Sequence, residues 1–565
     1  MKIYHIGIRN FRGIKTLNWA TNGSMICLIG PGDSTKSTIL DAIEYALSAR
    51  WSIPFADTDF YLNQVSDPIE ITLTVGHLPN KLIDDRKFGH HLRGWSTKDG
   101  MHDEPEDGDE LVISVSLRVD DTLEPSWFVV TDRNPEGIRI SSRDREMLGV
   151  TRLGPYVDRH LSWGRGSALS RLTGDLEIVP AILAEAGRKA REAVTSSTLD
   201  TLNKAAEQAQ AAAIELGVKP SVGYHPALDA QLNVGGTTTL TLHDGEVPTR
   251  LAGLGSRRLI TLAIQRNFVQ DGAILLVDEV EQGLEPFRLR HLLRVLRPPN
   301  ERVHQIFMTT HSNVAIEEIN AEELYIVRSN EGNITVRQVA GRLQATVRKT
   351  PESLLGRKII VCEGKTELGM CRALDRAWAE QPYGLPLAHL GVVPAHGGGD
   401  DAPRIAIDLA GLGYDVAFVG DSDKSINPGE TELKTAGVRV VRWANGLTIE
   451  QRVSRDLPQS ALDDLVNLAV EVTESNDRQS VLDSIGSRLG LKTGQLADGV
   501  DTWLVRGFSE DQIREAIGNA AKQGSWFKRI DKGEKLGELI SQHLSAIPTT
   551  DLAKKIEALR GWAYG

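Results

Sequence analysis

Cysteine is scarce in this chain, with three in 565 residues. That excludes a disulfide-stapled scaffold, and an odd count suits a reducing, cytoplasmic setting. Apolar runs are short as well. None approaches the roughly 18 residues needed to span a bilayer, so no membrane association is expected. The opening MKIYHIGIRNFRGIK has no apolar core of a signal peptide. Positive charge is not in excess: 64 Lys+Arg face 76 Asp+Glu, a formal net charge of -12. A protein that coats nucleic acid through bulk charge is thereby excluded, although a local basic groove is not. Aromatic residues make up 5%, and the Trp residues are scattered, so no base-stacking platform is evident. Internal repeats and His/Cys spacings of the zinc type are also missing.

What is present is ordinary globular material, 25% charged and 41% hydrophobic. The length suggests three or four units. Charge is uneven along them. Residues 99–110 (DGMHDEPEDGDE) hold seven acids and no base, the pattern of a solvated loop. Residues 133–171 hold eight Arg against four acids, and 286–304 hold Arg288, Arg290, Arg294, Arg297 and Arg302. Such runs are either solvated helix faces or phosphate contacts.

An α/β pattern opens the chain. KIYHIGIRNF and SMICLIG read as strands, STILDAIEYALSA as a helix, and IEITLTVGHL and LVISVSLRV as alternating strands. Residues 168–225 contain LDTLNKAAEQAQAAAIEL, whose helix propensity predicts an inserted helical arm. Alternation resumes over 226–350. RKTPESLLG reads as a linker. A second α/β unit is expected over 356–460, and a mainly helical stretch over 461–565.

CLIGPGDSTKSTIL joins a predicted strand to a predicted helix, the setting of a phosphate-binding loop. Backbone N–H groups and the helix start cradle phosphates, a lysine neutralises them, and a hydroxyl holds Mg²⁺. Gly30, Gly32, Lys36, Ser37 and Thr38 occupy those positions. The usual Gly before the lysine is Thr35 here, and its Cβ crowds the turn. ATP is therefore expected as a ligand that is either only bound or hydrolysed slowly. AILLVDEVEQGLEP ends an apolar strand in Asp278 and Glu279, which suit a Mg²⁺-bound water and a general base. Gly253, Gly255 and Ser256 open a helix in LAGLGSRRLITLAIQ. QIFMTTHS closes another apolar strand at His311, placed to sense a γ-phosphate.

In this order the motifs resemble the ABC-type ATPases of DNA repair and chromosome maintenance. The resemblance implies a P-loop head over 1–167 and 226–350, interrupted by a dimerisation arm. It also implies that two heads face each other, the Gly-Ser segment of one completing the nucleotide site of the other. A homodimer, or a higher even-numbered oligomer, is the implied assembly.

The second unit carries acids at strand ends. KIIVCEGKTE is an apolar strand closing on Glu363, with Glu367 four residues on. GYDVAFVGDSDK closes on Asp421 and Asp423. Acids so clustered repel one another and call for a counter-cation, Mg²⁺ or Mn²⁺. EGKTE followed 58 residues later by DSD, with AHGGGDDAPRIAIDLAGLG between them, looks like a TOPRIM domain.

An ABC-type ATPase followed by TOPRIM is similar to the OLD (overcoming lysogenization defect) family of nucleases, which includes the nuclease subunit of the Gabija antiphage system. That resemblance implies DNA cleavage with two cations at the TOPRIM site and one with the nucleotide. It further implies metal-binding by Glu450 of TIEQRV, and charge stabilisation by Lys528 of GSWFKRIDKGEKLGE. Read without the family, both are ordinary solvated residues. A helicase or other defence-system protein is the further partner implied. The competing reading is an ATP-driven DNA-binding clamp or scaffold with an inactive TOPRIM domain. Topoisomerase or primase chemistry is less suited, since no catalytic Tyr or primase-type zinc module is marked.

Overall fold

The computed structural model of the chain describes all residues except 33, 51, 85, 154–160, 164–166, 168, 170–171, 173–195, 230–238, 269–273, 298–304, 474–476 and 497–498. Contacts divide it into two units, Met1–Arg342 and Leu343–Gly565. Both are α/β.

The first unit is built on one large mixed sheet. Its parallel half runs Val150–Leu153, Ile274–Val277, Gln305–Thr309, Met25–Ile29, Leu324–Asn330 in spatial order. MICLI, ILLV and QIFMT are buried at every position, as expected of strands covered on both faces. The other half is antiparallel, with Lys2–Phe11 lying between Ile14–Ala20 and Ile69–Gly76. There strand Ile14–Ala20 keeps one face in solvent. Ile14, Leu17 and Trp19 are buried while Lys15, Asn18 and Ala20 face out. Strand Asn333–Gln338 joins the halves, antiparallel to Leu324–Asn330 and parallel to Ile14–Ala20.

This order decides where chemistry can occur. In a parallel sheet, the loops leaving the C-terminal strand ends lie side by side. Here those loops are the phosphate loop after Ile29, Asp278 after Val277, and Thr310–His311 after Thr309. Part of the arm expected over 168–225, above all 173–195, falls outside the described residues. Its described part contains helix Ser196–Glu215 and strand Tyr224–Asp229, which pairs with Thr239–Asp244. Arg159, Arg165 and Arg171 of the Arg-rich run 133–171, and Arg302, likewise lie outside the described residues.

The second unit has four parallel strands, Val392–His396, Lys358–Cys362, Asp415–Gly420 and Arg439–Arg442, in that order. RKTPESLLG, read as a linker, is helical. It falls on helix Gln344–Lys349 and the 3-10 turn Pro351–Leu355. Cys362 and Cys371 are both buried, with sulfurs 3.8 Å apart, and serve as core residues.

One core runs from these strands into the helices beyond residue 460, including Trp443, Trp503, Phe527 and Leu536. Helix Lys365–Ala379 crosses helix Ile530–His543 through glycines. A Cβ on Gly369 would lie 2.3 Å from Ile530 O and 2.6 Å from Glu534 N. On the other side, a Cβ on Gly533 would lie 2.6 Å from Thr366 O, and one on Gly537 would lie 2.7 Å from Ala373 Cβ. Both contacts at Gly369 are backbone and cannot swing away. Gly369→Ala should therefore cost the second unit about 1–3 kcal/mol by overpacking. Chemical denaturation will show this as a lower midpoint. Helix Asp551–Tyr564 ties down the opposite edge of the sheet. Lys358 Nζ donates to Trp562 O at 2.8 Å, and Trp562 Nε1 donates to Asp415 Oδ1 at 2.9 Å. Among the described residues no helix is long and apolar enough to cross a membrane.

Candidate nucleotide and metal sites

Helix Lys36–Leu47 buries Ile39, Leu40, Ile43, Ala46 and Leu47, a helical stripe that seats it on the sheet. The loop before it is shaped by close backbone approach. Gly30 has φ +138°, and a Cβ there would lie 2.6 Å from Val327 O. Gly32 meets no such obstacle. Lys36 is 5% exposed, and its Nζ donates to Pro31 O at 2.8 Å and to Gly30 O and Ser34 Oγ at 3.1 Å. The ammonium thus rests on the loop's own oxygens, where a phosphate would be its stronger partner.

Thr35 adopts φ +66°, ψ +16°. This left-handed conformation suits glycine, and a β-branched side chain there is an outlier costing of order 1–3 kcal/mol. The crowding expected from the sequence is thus a matter of backbone strain at Thr35 itself. Thr35→Gly should raise stability by about 1 kcal/mol, the relief exceeding the entropy that glycine adds to the unfolded chain. A denaturation midpoint checks the first effect, and a faster turnover of ATP would accompany it.

Asp278 is the hub of this region. Its Oδ1 accepts from Ser37 Oγ at 2.9 Å and Thr309 Oγ1 at 2.6 Å, and its Oδ2 from Arg152 Nη2 at 2.9 Å. Arg152 also bonds Asp41 and Glu44 on the loop's helix. Arg12 reaches Asp41 from the other side and holds Asp59 at 2.8 Å. Glu279 has φ +47° and is exposed, its N–H held by Thr309 Oγ1 at 2.8 Å. His311 donates its backbone N–H to Glu281 Oε1 at 2.6 Å. Partial burial and then the nearby Lys36 charge hold its imidazole pKa below the ordinary value, against the pull of Glu281, Glu279 and Asp278. Gly30, Lys36, Ser37, Asp278, Glu279 and His311 are therefore brought together, with Thr38 half-buried on the same helix.

The Gly-Ser segment has its own neighbourhood. Gly253 precedes helix Leu254–Phe268, and Gly255 packs on the Gly283 turn, where a Cβ would lie 2.2 Å from Gly283 O. Ser256 Oγ accepts from Arg288 Nη1 at 3.4 Å. The same helix sends Arg258 back to the Asp278 carbonyl and to Gln282 Oε1 at 2.5 Å. Arg152, Arg258, Thr309 and Glu281 escaped the sequence reading. Their only signal was position at a strand end or one turn into a helix, which many polar residues share.

In the second unit, helix Lys365–Ala379 begins just after Glu363–Gly364. Glu367 Oε2 accepts from the Gly364 N–H at 2.9 Å, so the acid folds back over the helix start. Glu363 Oε2 accepts from the Asp421 N–H at 2.9 Å. Gly420 leaves room for this, since a Cβ there would lie 2.4 Å from that oxygen. Asp421 Oδ1 accepts from the Ile449 N–H at 2.7 Å. Glu450 follows on the same helix and is 3% exposed, and Glu367 is 4% exposed.

These carboxylates act on one another. Burial, then the charges of Glu450 and Glu363, pushes Glu367 up to about 8. Burial, then Glu367, Glu450 and Glu363, pushes Asp421 up to about 9. Glu363 is also raised, by burial first, with the Asp421 N–H and Arg442 opposing. Oxygen donors that raise each other's pKa in a buried pocket fit a hard divalent cation. Among the described residues, however, no three His, Cys, Asp or Glu side chains already gather their donor atoms as around a bound ion.

Asp423, expected to face a cation, pairs with Lys522, whose Nζ lies 2.9 Å from its Oδ2. Lys528 is exposed, and the preceding Phe527 O accepts from Thr366 Oγ1 at 3.0 Å beside Glu367. Asp400, whose charge also raises Glu363, and Lys522 were missed. Asp400 lies in the GGGDD turn, and Lys522 is one of many helical lysines.

A family model described as "AAA domain, putative AbiEii toxin, Type IV TA system" matches residues 122–317. No curated protein matches the chain. Solved structures similar to it include an SMC head bound to the C-winged helix domain of ScpA, 14% identical, with 60% of this chain and 98% of that one covered and a TM-score of 0.37. The SMC head domain from Thermotoga maritima is 14% identical over 60% of this chain and 100% of that one, with a TM-score of 0.30. An SMC head with an extended coiled coil, bound to the C-terminal domain of ScpA derived from Pyrococcus furiosus, is 15% identical over 61% and 98%, with a TM-score of 0.37. The matched family segment holds Arg152, the Gly-Ser helix, Asp278 and His311, which supports an ATPase domain in the first unit.

Proposed function

We propose that the chain is an ATP-binding, metal-dependent DNA endonuclease of the OLD type. Its TOPRIM-like second unit cleaves and its ABC-type ATPase, working as a dimer, regulates. The observation that carries this reading is the group Glu363, Glu367, Asp421 and Glu450, drawn from two strand ends and two helix starts. Mutual repulsion among buried acids is costly, and it is retained where a cation is to be held. When bound, Mg²⁺ or Mn²⁺ supplies a Lewis acid for the phosphoryl oxygen and a more acidic water. Glu363, Glu367, Asp421 and Glu450 would hold the ions, with Asp423 joining once Lys522 yields. Lys528 would meet the charge that develops on the phosphate.

At the first unit, Ser37 and Asp278 would hold the Mg²⁺ of the nucleotide. Lys36 would meet its phosphates, Glu279 would take a proton from water, and His311 would bond the γ-phosphate. The Gly-Ser segment would close the site of a facing copy. The resemblance to the OLD nucleases extends the reading to antiphage defence, beside a helicase or other partner.

Nicking of supercoiled DNA with Mg²⁺ or Mn²⁺ tests the reading. The parent chain should cut, and Glu363→Ala should not. Equal cutting by the two would sink it. The clamp or scaffold reading is favoured by one feature, the Lys522–Asp423 pair, which occupies an acid the nuclease needs. DNA retention without cutting would decide for it.

A further inference from the structure

The second sheet presents a graded edge. Its four neighbouring strands end, in spatial order, at His396, Cys362, Gly420 and Arg442. The side chains at or just beyond those ends are His396, Glu363, Asp421 and Arg442. Neighbouring strands are about 4.8 Å apart, so two acids stand between two basic flanks within roughly 15 Å. A polyanion lying across the strand ends would meet base, acid, acid and base in turn.

The two flanks are not equivalent. Arg442 is committed to the protein, with Nη1 on Glu430 at 2.8 Å and Nε on Asp421 O and Nη2 on Lys424 O at 2.6 Å. The His396 flank is more open. Lys365 opens its helix directly after Gly364 and is exposed. Lys349 Nζ hangs over the Gly398 turn, 3.0 Å from where a Cβ would stand. Its partner is the exposed Asp401 at 3.1 Å, a pair worth at most about 1 kcal/mol and easily exchanged. Burial and then the charges of Lys365 and Lys349 keep the His396 imidazole below its ordinary pKa, so both ammonium groups act on the ring.

We propose that Lys349, Lys365 and His396 form a subsite for a DNA backbone phosphate next to the one received by the acidic pocket. The inference rests on the nuclease reading and names the part of the substrate that this flank holds. Two ammonium groups and an imidazole N–H suit a phosphodiester oxygen and carry no base information. The acids alone would repel DNA. The basic flank supplies attraction beside them and sets the direction in which the strand crosses the sheet edge.

The test is binding of a labelled 30-base-pair duplex in Ca²⁺ at several salt concentrations. The variants are Lys349→Ala/Lys365→Ala and His396→Gln, all changes at sites where the core is not involved. For the double variant, the dissociation constant should rise about five- to tenfold, and the slope of log K against log salt should fall by roughly 1–2. A duplex with a neutral methylphosphonate beside the cleaved bond should weaken the parent chain and leave the double variant unchanged. Affinity and slope equal to the parent's would overturn the subsite, whatever the cutting assay gives. Failure of the parent to cut, with the binding loss observed, would overturn the nuclease reading and leave the phosphate subsite standing.

Discussion

Asp421→Asn will cut supercoiled DNA at least about a hundredfold more slowly than the parent, and will melt higher when both are free of metal. The first effect corresponds to about 2.7 kcal/mol of transition-state stabilisation, within what one metal ligand supplies. The second arises from the same carboxylate. Asp421 is raised from 3.8 to about 9 and Glu367 from 4.5 to about 8. The folded chain therefore keeps protons that the unfolded chain has released. Such groups give their full stability below pH 4 and lose it as pH rises toward 8 and 9. The metal-free parent should melt progressively lower from pH 5 to 9, and Mn²⁺ should restore more at pH 9 than at pH 6. Asparagine keeps the oxygen that accepts from the Ile449 N–H and removes the charge. A purely structural aspartate would behave oppositely, with its asparagine variant melting lower. Thermal melts with and without Mn²⁺, beside a nicking assay, separate the two.

Lys36→Ala is expected to weaken ATP binding at least about thirtyfold, or roughly 2 kcal/mol, and to abolish the thermal shift that ATP gives. A charge-assisted contact to phosphate is worth more than the neutral ones it replaces. In the free protein Lys36 is held by three oxygens of its own loop. Those bonds keep the loop in shape and are exchanged when a nucleotide arrives. Alanine loses both roles, so the first unit should also melt slightly lower without ligand. Fluorescent-nucleotide titration measures the affinity. Binding equal to the parent's would remove Lys36 from the nucleotide site. If DNA cutting by the second unit still responds to ATP in this variant, the regulatory link fails with it.

The sequence announced those parts of the sites where an apolar run stops on acids or glycines. IIVC and VAFVG are unbroken buried runs, so Glu363 and Asp421 stood out as their terminators. ILLV did the same for Asp278. The parallel strands were legible because burial on both faces leaves no polar position to blur the run. Their neighbours in space were not. Arg152 lies 126 residues before Asp278, and Lys522 lies about 100 beyond Asp423. No local pattern marks such partners, because an ion pair fixes distance in space and leaves sequence separation free. The helical form of RKTPESLLG was hidden for a related reason. Its Pro starts a short helical turn, a role as common as ending one. The Thr35 departure was visible, yet its meaning was conformational, and only the backbone angle shows it.

The last long helices have a consequence for the birth of the protein. Helix Ile530–His543 nests on the helix that carries Glu367, and Trp562 anchors the strands that lead to Glu363 and Asp421. A ribosome adding about 5–20 residues per second needs roughly 10–40 s to travel from Glu363 to Trp562. The four acids are made during the first part of that interval, Glu450 last, and until its end they lack the helices that pack behind them. On the nuclease reading proposed above, a nascent chain completes its cutting site only after synthesis has passed Trp562. The order of the helices thus delays assembly of the acidic group to the end of the second unit's synthesis.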